Sequence, residues 1–544
     1  MGRTADYLRR LIRKVIPPRA ETSAAGMTVF LAGILGVGAG ALALLMDWLV
    51  RFLNRHLFFE IGGRADSLPS PWHFLLVLVP AVVFLLVAAV LRRWAPEVAG
   101  TGISEVMSAI GRRGGFIRKR VVALKVLATS LCIGAGAPLG LEGPVVQAGA
   151  ALGSLAGRRF RMGVTNIRIL VAAGAAAALA AKYGAPIGGA VFSAELLLGS
   201  ASTAALLPLI VASFLAVVTR NAVLRGAVEY AFPAQPHLVP ADYILFALLG
   251  VGCGLAAVYF IKMIFATEDT MKRLFSQWWA RAVFGGLLIG MVGFVRPELL
   301  GTGRRMVQKL LDSPVASLQL LLLFVLLKPL LCSVGLGTGA SGGVFAPSLF
   351  TGAALGALFA RLAAGALPLE IAPSASYVMA GMAGVMAAVM RAPLQAILIT
   401  FELTHNYSVI PPLMITCVVS MKVSELLEPE SAFTRGLVRA GEKIRRGIDL
   451  ALINGLTVAD VMERDYVALP AGATIWEIAE PVESSENRTF PVVGNDGELR
   501  GIVMLASLIA AGVRSQESGR APKVKDLLEP VPVHLQPDDP LYDA

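Results

Sequence analysis

Two stretches of this chain carry nearly the same pattern in different residues. Gly134–Gly153 reads GAGAPLGLEGPVVQAGAALG, and Gly337–Gly356 reads GTGASGGVFAPSLFTGAALG. Setting Gly149 against Gly352 also pairs Pro144 with Pro347, Gly140 with Gly343, Gly134 with Gly337 and Lys125 with Lys328. The match continues outward. PEVAGTG at Pro96–Gly102 answers PELLGTG at Pro297–Gly303, and Ala185-Pro186 with Glu195 answers Ala392-Pro393 with Glu402. Gly/Pro-interrupted short apolar spans at matching places in two halves point to a transporter whose site lies between the halves. Glu142 is the only charged residue of the first stretch and stands opposite Phe345. An ionisable side chain at membrane depth is costly and therefore a functional candidate. GLEGP reads as a backbone break followed by a helix N-terminus, with Pro144 suited to the first turn. The free N–H groups and positive dipole end of such a terminus favour an anion.

The apolar content fits a membrane setting. Of 544 residues 56% are hydrophobic, above the 45–50% or so of soluble domains. Runs at Met27–Val50, Phe74–Leu91, Val121–Leu139, Ile167–Ala181, Ile187–Leu198, Ala204–Val218, Tyr243–Phe265 and Ala282–Val295 are followed by Val315–Leu336, Val344–Ala366, Tyr377–Met390, Leu394–Leu403 and Val409–Leu426. Several fall short of the ~20 residues of a simple span, as expected of helices that stop inside the membrane where protein or a cavity surrounds the break. Small-residue runs such as Gly36–Ala43 and Val171–Ala181 suit close helix packing. The formal charge of +11 lies in clusters at Arg9–Lys14, Arg112–Arg120, Arg158–Arg161, Arg304–Lys309 and Lys443–Arg446. Topology explains these clusters better than nucleic acid does, because Lys and Arg stay on the cytoplasmic side. Cys132, Cys253, Cys332 and Cys417 sit in apolar runs without CxxC spacing and read as packing residues rather than disulfide or metal positions. The basic N-terminus reads as amphipathic over Tyr7–Val15 and broken at Pro17-Pro18, without a cleavable signal peptide.

GTGIS (Gly100–Ser104), GLEGP (Gly140–Pro144) and GGVFAP (Gly342–Pro347), in this order, resemble the CLC family of chloride channels and proton/chloride antiporters. The resemblance covers roughly the whole chain. It implies a polytopic α-helical membrane protein of two inverted structural repeats with broken and re-entrant helices. It also implies a homodimer with an anion pathway in each subunit, surrounded by membrane lipid, in a bacterial inner membrane with cytoplasmic termini. The expected transmembrane domain spans residues 27–435, with repeats over about 27–218 and 243–426, preceded by a cytosolic segment 1–26.

By the same resemblance, chloride is bound by the Thr101 hydroxyl, where the family usually has serine, and by the N–H groups of Val344 and Phe345. Gly100, Gly102, Ile103, Gly140, Gly143, Pro144, Gly343 and Pro347 form the filter turns and helix N-termini, and Glu142 is the gate. Such a site needs donors strong enough to attract an anion and weak enough to release it. The bland readings are a Thr101 hydroxyl bonded to its own helix and a Glu142 that is merely structural. Three departures from the family pattern bear on mechanism. Leu141 replaces an arginine beside the gate. Leu196, after the possible secondary acid Glu195, stands where antiporters often carry an internal proton-transfer glutamate. Phe433 replaces a tyrosine whose hydroxyl touches the anion. The last two favour a glutamate-gated passive chloride channel, with a proton-coupled antiporter, kept open by the retained Glu142, as the alternative. An intramembrane serine protease, suggested by GxSxG at Gly339–Gly343 with His405 as the base, is a remote reading. A CBS-bearing metal-ion transporter lacks the intramembrane acid clusters that a cation needs. No catalytic residue and no metal site is expected.

Beyond about Arg435 the composition turns charged. A linker over 436–455 leads to a cytosolic α/β module over 456–513, with a helical start (TVADVM), strands (FPVV, GIVM) and a turn at Asn495-Asp496-Gly497. LTVADVM, FPVV and GELRGIVM resemble a CBS domain, and 514–544 resembles only the start of a second. CBS units usually pair, and pairs often bind adenine nucleotides; half a pair supports that less.

Overall fold

The computed structural model describes residues 19–59, 74–199, 202–225, 230, 238–312, 317–366, 371–404, 406–441, 457–462, 464, 466–485, 487–494, 496–518, 521–529, 536–537 and 539. The amphipathic N-terminal stretch, His405, Asn495 and most of the expected linker lie outside them. The chain divides into two compact units, Met1–Ile444 and Arg445–Ala544.

Unit one repeats itself element by element. The first half runs α1 (Arg19–Asn54), α2 (Phe74–Trp94), a 3-10 turn (Pro96–Val98), α3 (Ile103–Arg112), α4 (Arg120–Gly134), α5 (Glu142–Arg159), α6 (Val164–Tyr183), α7 (Pro186–Phe192) and α8 (Thr203–Leu224). The second half runs α9 (Pro240–Leu274), α10 (Trp278–Val295), a 3-10 turn (Pro297–Leu299), α11 (Arg304–Asp312), α12 (Leu318–Gly337), α13 (Phe345–Ala366), α14 (Ser374–Met390), α15 (Pro393–Thr404) and α16 (Ile410–Leu427). A short α17 (Thr434–Arg439) follows. Among the described residues nine helices are long and apolar enough to cross a membrane, while α14, α15 and α7 with its π-helical extension Ser193–Leu198 are shorter. The unit is a multi-pass membrane protein of two inverted repeats.

The halves are tied at symmetry-equivalent points. Gly140 and Gly343 exchange both backbone hydrogen bonds at 2.7 Å as an isolated antiparallel bridge. Each is the other's repeat partner, so a local two-fold axis passes between them. Lys125 Nζ donates to the carbonyls of Val98 and Gly100 at 2.8 and 2.9 Å, and Lys328 Nζ donates to those of Leu299 and Gly301 at 2.8 and 2.7 Å. The acids answer each other across the halves. Glu195 accepts from Leu394 and Gln395 N–H (3.2 and 2.8 Å), while Glu402 accepts from Ile187 and Gly188 N–H (2.9 and 2.6 Å). Each half thus satisfies the orphan donors at the start of the other half's proline-led helix.

The GAALG runs explain the tight helix pairs. A Cβ at Gly149 would collide with the Gly174 carbonyl of α6, and one at Gly352 with the Gly381 carbonyl of α14. The backbones therefore meet directly, as small-xxx-small spacing allows. Large apolar residues such as Phe30, Leu86, Ile244 and Val295 face outward, consistent with lipid as their surroundings.

The apolar run Val121–Leu139 is helical only as far as Gly134. Its remainder is the irregular segment that carries Gly140 to its bridge. Helix α1 begins well before Met27, at Arg19. The short amphipathic helices α3 and α11 escape a hydropathy reading because only one face is apolar. In α3 that face is Ile103, Val106, Met107 and Ile110.

Unit two holds a three-stranded sheet in the order β1 (Leu469–Pro470), β2 (Thr489–Val493), β3 (Leu499–Met504). Strand β1 is parallel to β2, with Leu469 beside Val492, and β3 is antiparallel to β2, with Phe490 beside Val503. Phe490, Val492, Val503 and Val524 are buried in its core, and Ile502 bridges to Glu529. The TVADVM start is a single helical turn, Val458–Val461. It is a small α/β region, as expected.

Candidate anion site and its gate

Four broken ends converge between the halves: the starts of α3, α5, α13 and α17. Glu142 is the first residue of α5 and is buried. Its Oε1 accepts from the Tyr183 hydroxyl at 2.9 Å, and its Oε2 accepts from the Ala346 N–H at 3.3 Å. The carboxylate therefore occupies a place defined by donors from both halves. Tyr183 closes α6, and Ala346 lies in the first turn of α13, where backbone N–H groups lack helical acceptors. The Tyr183 ring stacks on Phe345, with centroids 5.5 Å apart and planes at 30°.

A positive charge is present near the gate despite Leu141. Lys182, one residue before Tyr183, pairs with Asp47 of α1 at 3.1 Å, and Asp47 also pairs with Arg51 at 2.6 Å. Leu141 itself is buried.

Thr101 adjoins the gate from the other side. A Cβ on Gly143 would collide with the Thr101 carbonyl, so glycine there lets the start of α5 seat against the Gly100–Gly102 turn. Gly100 and Gly102 flank Thr101 with φ of 72° and 84°, a left-handed region open to glycine at little cost. Thr101 makes no hydrogen bond to its own helix among the described residues and lines a cavity of about 430 Å³. Ser104 lines the same cavity and donates to the Phe433 carbonyl at 2.9 Å. Phe433 is the N-cap of α17 and fully buried, so the structure brings it to the Thr101 end of the site. Arg92, Lys272 and Arg281 also line the cavity against one acid, Glu268, which Lys272 holds at 2.5 Å. The mouth is net positive and suits an anion.

Val344 and Phe345 are buried at the entry to α13, beside Gly343 at the bridge and ahead of Pro347 in the first turn. Ile103 opens α3 and Pro144 lies in the first turn of α5, both buried. Leu196 is buried in the π turn after α7, next to the capping acid Glu195. Ser341, the residue that suggested a nucleophile, is fully buried; its Oγ donates to the Val98 carbonyl at 3.0 Å and meets Thr129 at 2.8 Å. That hydroxyl ties the Pro96–Val98 turn to the second half. Among the described residues no group of three or more His, Cys, Asp or Glu could hold a metal. The four cysteines are buried free thiols.

Sequence reasoning did not find Tyr183, Ala346 or Lys182. The signal for Tyr183 was present in the repeat itself: the register that pairs Ala185 with Ala392 sets Tyr183 against Met390, an aromatic hydroxyl with no counterpart.

Residues 82–425 match the family described as "Voltage gated chloride channel", and residues 458–514 match the CBS domain. A Ralstonia nicotianae protein named "Putative chloride channel protein ClcB-like" is 34% identical, over 75% of this chain and 96% of its own. A Yersinia pseudotuberculosis protein named "H(+)/Cl(-) exchange transporter ClcA" is 30% identical, over 79% of this chain and 90% of its own. The solved structure of a slow cyanobacterial Cl−/H+ antiporter superposes with a TM-score of 0.70 at 27% identity, covering 76% of this chain and 97% of that one. A eukaryotic CLC transporter at 20% identity and TM-score 0.65 covers 95% of this chain and shares the fold.

Proposed function

The chain belongs to the voltage-gated chloride channel (CLC) family, and we propose that it carries chloride across a bacterial inner membrane in exchange for protons. The observation that carries this reading is the seat of Glu142. A carboxylate held by a hydroxyl and a helix-terminal N–H occupies a site that an anion would take. Protonation removes its charge, the side chain leaves, and chloride takes the N–H donors at the start of α13. The route runs from the positive cavity, past Thr101 and the N–H groups of Val344 and Phe345, to the gate. Phe433 closes the inner end sterically, since it has no hydroxyl to offer. In this reading the protein is a homodimer, and the CBS region is cytoplasmic.

Relatives named as proton/chloride exchangers match most of the chain at about the identity of the one named as a channel. They favour exchange over the passive channel to which the sequence departures pointed. The passive channel stands as the second reading on one observation: Leu196 is buried and cannot carry a proton. Exchange then requires protons to reach Glu142 through water.

Purified protein in liposomes separates the two. With a chloride gradient imposed and the potential clamped by valinomycin and potassium, uphill proton movement that Glu142→Ala abolishes supports exchange. Chloride flux with no proton movement supports the channel. Glu142→Gln, which resembles the protonated gate, flattens the pH dependence of flux. An unchanged pH profile in that variant would remove Glu142 from the gating role.

A further inference from the structure

The two halves of the scaffold share their backbone pattern around the gate, and two of their chemical differences meet there. Glu142 stands opposite Phe345, and Tyr183 stands opposite Met390. The backbones at the second pair are alike. Helices α6 and α14 end at Tyr183 and Met390, each followed by a left-handed residue, Gly184 with φ 71° and Arg391 with φ 60°. Identical helix ends thus carry a hydroxyl only in the half that also carries the gating acid, and the two groups meet at 2.9 Å.

We infer that Tyr183 is the latch of the gate: its hydroxyl holds the Glu142 carboxylate closed, and chloride must break that hydrogen bond to enter. The latch is preorganised from both sides. Its ring is buried and stacked on Phe345, the residue before Ala346, so both donors to the carboxylate belong to one packed unit. Lys182, the residue before Tyr183, ties the end of α6 to Asp47 of α1. A hydroxyl donating to a carboxylate favours its ionised, seated form. The latch therefore acts on closing and not on the anion's own binding. Tyr183 is a positioning residue. Its role rests on the reading of Glu142 as the gate.

Tyr183→Phe removes one oxygen and keeps the stacked ring. In liposomes at neutral pH it raises chloride flux about tenfold, the order expected for loss of one hydrogen bond to a charged group. In a Glu142→Ala background the same substitution changes flux by less than about twofold, because the acid it acts on is gone. A purely structural tyrosine would alter both backgrounds alike, and that outcome overturns the inference. So does wild-type flux in Tyr183→Phe, or a variant that no longer folds, since only the hydroxyl was removed. Failure of the gate reading has a different signature: Glu142→Ala itself then leaves flux unchanged.

Discussion

The duplicated lysines permit a test in which the protein supplies its own control. Lys125 and Lys328 are both fully buried, and each donates two hydrogen bonds of 2.7–2.9 Å to carbonyls of its own PE-x-x-GTG turn. Replacing either with methionine keeps the volume, removes two hydrogen bonds from a charged donor at ~1.5–3 kcal/mol each, and leaves two carbonyls unsatisfied. The relief from no longer burying an ammonium offsets several kcal/mol of that. A net loss of ~2–4 kcal/mol is expected for each variant. Lys328 also lies 5.0 Å from the Phe350 ring centroid, which adds ~1 kcal/mol to its variant. Thermal melts in detergent should therefore show similar destabilisation for Lys125→Met and Lys328→Met. Function should separate them. Only Lys125 holds Gly100, the neighbour of Thr101, so Lys125→Met loses at least about tenfold in chloride flux per folded protein, the scale of one well-placed hydrogen bond to the anion. Lys328→Met stays within about twofold of wild type, as a change away from the anion's path should. Equal flux losses, or wild-type flux in Lys125→Met, would refute the assignment of the first GTG turn to the anion pathway.

Two further outcomes follow from single positions. Leu196→Glu places an acid in the buried π turn, and the proton-to-chloride ratio in the liposome assay rises; an unchanged ratio means that protons do not pass Leu196. In the CBS region, Glu477 accepts the Thr474 N–H at 2.7 Å and bonds with its side chain, which hold its carboxyl below the ordinary value. A depressed folded value contributes stability that is present above the unfolded value and lost as pH falls through the folded one. Pulse proteolysis of the full chain with pepsin, from about pH 5 down to about pH 3, should show the C-terminal unit loosening with acid, and Glu477→Gln should flatten that limb. A variant as acid-sensitive as wild type would sink the claim.

Much of this protein was decided by its sequence. The repeat is written in glycines and prolines because those residues mark where backbone must break or approach backbone closely, and both demands are local. The register that pairs Gly140 with Gly343 and Lys125 with Lys328 therefore placed the site between the halves, and the Gly140–Gly343 bridge placed the two-fold axis. Small-residue runs signalled close helix packing, and the structure showed that the GAALG runs pair α5 with α6 and α13 with α14. The acid at Glu142 was legible as a functional residue because charge is costly in an apolar span. What the chain did not disclose was partnership. Glu195 read as a possible secondary acid or a structural cap, and only packing showed that it caps the N-terminus of α15, some two hundred residues away. Leu141 read as a lost charge, and only packing showed that Lys182, paired with Asp47, approaches the Glu142 carboxylate from another helix. Tyr183 was not singled out, although the repeat sets it against Met390. A hydrogen bond needs its two atoms within about 3 Å, and nothing in a sequence sets that distance between distant segments. Periodicity and backbone chemistry gave the scaffold; only packing of the two halves decided which side chains hold the gate.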